Sequence, residues 1–173
     1  FSAAPNLPVA YSNLVAWYPF DSATYGGSNA DDVTALFNPA QSGDSTAYDG
    51  TVTGATYQSS GGVTDFSAGA NSGAFDFDGT SDFIELGTSV FDSTSAFTIT
   101  CWFNDDGTDG FLWSNNDNDN GARARVNQRG SFMSFSVENN GTRNFVETSM
   151  PRGGYNFAGF VSDGSGFIEQ YIN

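Results

Sequence analysis

Apolar side chains recur at every second position along much of this chain. In 97–103 the odd residues Phe97, Ile99, Cys101 and Phe103 share one side. That is the period of a strand with one buried face, and it places Cys101 in the core as a small hydrophobe. The same alternation marks 51–57, 74–78 and 82–86, and it predicts later strands over 111–114, 122–127, 131–138, 144–148, 155–161 and 166–172. Residues 13–20 form a dense apolar run that predicts an opening strand, with Pro19 at its edge or end.

Turn residues punctuate these runs: Asp78-Gly79-Thr80, Asp105-Asp106-Gly107, Asn120-Gly121, Arg129-Gly130, Asn140-Gly141 and Asp163-Gly164. No amphipathic helix is evident; residues 31–37 could supply one short helical turn. Polar or Gly/Ser-rich stretches at 22–48, 59–73 and 115–120 read as loops. Short strands at regular spacing with Gly-rich turns predict an all-β fold, a two-sheet antiparallel jelly-roll sandwich.

The chain has 173 residues, 38% of them hydrophobic, which fits one domain with a real core. Residues 1–12 read as an N-terminal extension. The strand-like 166–172 stands at the last residues given, so the expected domain is incomplete at its C-terminal side. Its open edge is expected to be covered by further strands or by a neighbouring subunit.

Charge alters the picture more than length does. Twenty acidic residues face five Arg, for a net charge of −15, and there is neither Lys nor His. Ser-His-Asp catalysis, Lys Schiff bases and His-ligated zinc are therefore excluded within the chain. A field of this sign repels phosphate backbones, so nucleic acid is not an expected partner. No apolar run is long enough to span a bilayer, so no membrane insertion is expected. The single Cys101 cannot form an internal disulfide. Such a body repels itself in dilute buffer, whereas in molar salt the Debye length falls to about 3 Å and the repulsion fades. The composition reads as that of a salt-adapted exterior protein; the alternative is an ordinary acidic secreted one.

Four segments in order carry a family signal: Leu14-Val15-Ala16-Trp17-Tyr18-Pro19-Phe20-Asp21, Asp49-Gly50-Thr51-Val52-Thr53-Gly54-Ala55-Thr56-Tyr57, residues 73–86 around Phe75-Asp76-Phe77-Asp78-Gly79-Thr80, and residues 96–103. Together they resemble the laminin G-like, concanavalin A-like jelly roll. The resemblance implies a two-sheet sandwich that binds glycans or protein surfaces. It also implies a structural calcium ion, and the matching residues here are Asp21, Asp44 and Asp49. Solvated surface carboxylates are the other reading of those three. Some members of the superfamily are glycanases, which place two Glu and an Asp at alternate positions of one strand. Glu85, Glu138, Glu147 and Glu169 lack that spacing, so an enzyme is not expected.

For binding, Trp113 adjoins the polar loop and is the expected stacking platform; Trp17 and Trp102 are expected in the core. The Asn115, Asp117 and Asp119 oxygens and the alternating Arg123 and Arg125 complete the candidate glycan- or surface-binding set. A plain polar turn, with the Arg paired locally to Asp117 or Asp119, is the alternative. Asn140-Gly141-Thr142 is a candidate glycosylation sequon on a hairpin turn. The expected function is a non-catalytic attachment module on a cell or virion surface in high salt, with a glycan or surface glycoprotein as partner. Its rival is a ligand-free structural subunit of a filament or virion; a glycan hydrolase is a distant third.

Overall fold

The computed structural model describes residues 13–20, 29–31, 48–60, 62, 73–86, 90, 95–115, 121–127 and 131–173, with 125–127 as backbone. Among them every strand pair is antiparallel and no α-helix occurs, so the fold is all-β. The chain divides into two compact units, Phe1–Val90 and Phe91–Asn173.

The first unit holds β1 (Asn29–Ala30), β2 (Gly50–Thr53), β3 (Thr56–Gln58), β4 (Ala74–Asp76) and β5 (Phe83–Leu86). One sheet runs β1-β2-β5, and among the described residues β3 pairs with β4 alone. The single strand expected over 51–57 is thus two strands in two sheets. Gly54 at φ 77 separates them, a left-handed turn that a side chain strains to adopt. β1 lies inside a stretch expected to be loop, where Ala30 is fully buried. The opening strand expected over 13–20 forms no ladder among the described residues. Pro19 has no N–H to offer and Phe20 sits at φ 53, so the run cannot continue as a regular strand. Its aromatics pack instead. Tyr18 stacks on Phe20 at 6.2 Å between ring centroids, and Phe20 meets the edge of Phe75 at 5.2 Å. Gly73 is required beside this cluster, because a Cβ there would stand 2.2 Å from both the Phe20 carbonyl and the Tyr57 hydroxyl. The helical turn expected over 31–37 lies outside the described residues beyond Asp31.

The second unit holds β6 (Phe97–Asp105), β7 (Gly110–Asn115), β8 (Gly121–Asn127), β9 (Phe132–Asn139), β10 (Thr142–Ser149), β11 (Gly154–Ser162) and β12 (Ile168–Ile172). A four-stranded sheet runs β10-β9-β8-β7 and a three-stranded sheet β12-β11-β6. The two sheets share one core. Ala122, Ala124, Met133, Phe135 and Val137 of the first bury against Ala158 and Phe160 of the second. Phe97, Ile99, Cys101 and Phe103 pack on this core from β6, as the alternation requires. Gln170 ties the sheets: its buried amide Nε2 donates to the Met133 carbonyl at 3.1 Å.

Turn chemistry sets the connections. Asn140 (φ 50) and Gly141 (φ 74) are both left-handed between β9 and β10, the backbone that a two-residue hairpin loop favours. Asp163 closes the β11–β12 turn by accepting from the Ser165 and Phe167 N–H groups at 2.7 and 3.1 Å.

Candidate functional site

The three-stranded sheet has an inner face and an outer one. Ladder pairing fixes the outer face in rows: Thr98 beside Val161 and Glu169, Thr100 beside Gly159 and Tyr171, Trp102 beside Phe157, and Asn104 beside Tyr155. Large aromatics stand exposed there: Trp102 by 53%, Tyr171 by 53% and Tyr155 by 47%. Trp102 is propped by Phe157, with ring centroids 5.3 Å apart and planes tilted 56°. Phe157 is braced in turn by Asn173, whose side-chain Oδ1 accepts from the Phe157 N–H and whose N–H donates to the Phe157 carbonyl.

Gly159 lies in the middle of this face, buried between Tyr171 and Thr100. A Cβ added there would make only ordinary contacts, at 3.8 Å to Tyr171 and 3.9 Å to Thr100 Cγ2. Glu169 stands one row away, opposite Val161. It accepts a hydrogen bond from the Tyr171 phenol, and this bond first, then burial and the carboxylate charge, raise the phenol's pKa above its ordinary value. The face therefore combines flat aromatic rings with polar groups from Thr100, Asn104 and Glu169. Rings with an exposed negative face attract the weakly positive C–H edges of a sugar, while the flanking polar atoms suit its hydroxyls.

The sequence-derived binding set does not converge on one place. Trp113 turns inward, in correction of its expected role as an exposed platform. Its ring contacts Phe97, Phe135 and Phe160 at 6.3, 5.9 and 5.4 Å. The cause is a β-bulge between Phe111 and Trp113, which pairs Trp113 with buried Ala124. Arg123 alternates with Ala124 and so stands on the opposite, outer face, beside Ser114 and Ser136. Arg125 pairs with Ser134 in the ladder. Asn115 is half-buried at the end of β7. Asp117 and Asp119 lie outside the described residues. Trp102, expected in the core, is the exposed ring instead. The signal was present: Trp102 shares its parity with Thr98 and Thr100, not with Cys101. Tyr155, Phe157 and Tyr171 were missed because only the ladder register brings them beside it. Trp17 is half-buried.

Of the calcium candidates, Asp21 and Asp44 lie outside the described residues. Asp49 lies near Asp31, whose carboxyl is pushed up by burial and by the Asp49 charge. Among the described residues no three acidic or thiol side chains gather into a metal-binding group. Asn140 is exposed at its hairpin tip.

Comparison with protein-family models, curated proteins and solved structures gives no match.

Proposed function

We propose that this chain is a non-catalytic attachment module of laminin G-like jelly-roll type, carried on a cell or virion surface in brine, that holds a glycan on the outer face of the β6–β11–β12 sheet. The observation that carries this reading is the set of exposed aromatics Trp102, Tyr155 and Tyr171 on that one outer face. Exposed aromatic groups of this size mark recognition surfaces in soluble domains. Support for a non-catalytic role comes from the carboxylates. By register and alternation Glu169 stands on one outer face and Glu138 and Glu147 on the other, whereas glycosidase carboxylates flank one bond. The surplus of carboxylates with no Lys suits a salt-rich exterior.

A glycan array probed in 2 M NaCl tests the proposal. Wild type should bind a defined set of oligosaccharides, and Trp102→Ala and Gly159→Leu should each lose it while remaining folded. Binding unchanged in both variants, or absent from wild type, would overturn it; the second outcome favours the ligand-free structural subunit.

A further inference from the structure

Phe145 is 65% exposed in the middle of β10, the highest value among the exposed large hydrophobics of the described residues. Arg143 and Glu147 stand two positions to either side. Alternation puts all three on the same outer face, and all three are exposed. Arg143 makes one long hydrogen bond, 3.4 Å to Ser136 Oγ. Neither it nor Glu147 forms an ion pair among the described residues. Along its outer side β10 thus presents a cation, an aromatic ring and an anion at even spacing.

β10 is also an edge. It pairs with β9 alone among the described residues, so its other side offers backbone donors and acceptors to a further strand. An antiparallel partner centred on residue 145 pairs residues whose numbers sum to a constant. Position 143 then lies opposite 147, and 145 opposite itself. The triplet is therefore complementary to a second copy of itself about a two-fold axis.

We propose that β10 joins edge to edge with β10 of a second copy, closing a two-fold dimer whose four-stranded sheets become continuous. Each Arg143 meets Glu147 of the other copy, and the two Phe145 rings pair across the axis. A chain of net charge −15 resists self-association in dilute buffer. In about 1 M salt that body repulsion is screened beyond roughly 3 Å, while ion pairs in contact persist.

Sedimentation equilibrium of the full chain in 1 M NaCl tests the pairing. Wild type should show a concentration-dependent dimer. Arg143→Glu and Glu147→Arg should each weaken it by about tenfold or more, because each reversal sets like charges opposite one another twice. The double variant R143E/E147R should return to the wild-type constant. Phe145→Ser should weaken the dimer without altering charge, which keeps the test open if a charge variant folds poorly. A monomer at every concentration overturns the proposal. So does a dimer that the single reversals and Phe145→Ser leave intact, or one that the swap fails to restore when folded single variants have lost it.

Discussion

Arg152 Nε donates to the carboxylate of Asp105 at 2.6 Å, joining residues 47 apart in the chain. The Asp105 side chain is 3% exposed and also accepts from the Gly153 and Gly107 N–H groups at 3.1 and 3.2 Å. Arg152 extends the clasp by donating from a terminal nitrogen to the Thr108 carbonyl. One carboxylate thereby fixes both the turn after β6 and the start of β11, at the end of the sheet that bears the aromatic face.

Asp105→Ala should cost about 3 kcal/mol, since it leaves a guanidinium and two backbone N–H groups without their acceptor. Burial pushes the Asp105 carboxyl up, but the hydrogen bonds from Arg152, Gly153 and Gly107 and the Arg152 charge together hold it below its ordinary value. Its contribution is therefore complete above about pH 4 and is lost as pH falls through the lower, folded-state value. Denaturant midpoints measured from pH 7 to pH 2 should fall for wild type, and less steeply for the Ala variant.

Trp102 and Trp113 should separate binding from stability. Trp113→Ala removes a ring packed on Phe97, Phe135 and Phe160 and should cost about 3 kcal/mol or more. Trp102→Ala, at an exposed site, should cost under about 1 kcal/mol. Equal losses in urea titrations would mean that the outer face is part of the core.

Thermal midpoints should rise strongly between about 0.1 and 2 M NaCl as self-repulsion is screened. Equal midpoints at the two concentrations would remove the salt-adapted reading.

Burial pushes the Cys101 thiol up to about 12. At pH 8 the folded protein should react with iodoacetamide far more slowly than the urea-unfolded chain, because the thiolate is the nucleophile. Equal rates would place Cys101 outside the core.

The sequence by itself determined the all-β character and the inner face of β6, because a strand repeats every two residues and side-chain parity needs no partner to be read. It also determined the left-handed corners at Gly79, Asn140-Gly141 and Gly164, where few residues tolerate the backbone. It determined the charge and, with it, which chemistries are absent. Tertiary structure decided everything that depends on which strands lie side by side. The bulge at Phe111/Trp113 reversed the expected direction of one Trp, and no local pattern announces a single inserted residue. The aromatic face gathers Trp102, Phe157 and Tyr171 from three strands, and their adjacency is a matter of register. The Asp105–Arg152 clasp joins two charged residues that the sequence offers only as members of an acidic turn and a sparse set of Arg. Parity is a property of one strand, whereas register is a property of a pair, and only the folded chain holds the pair.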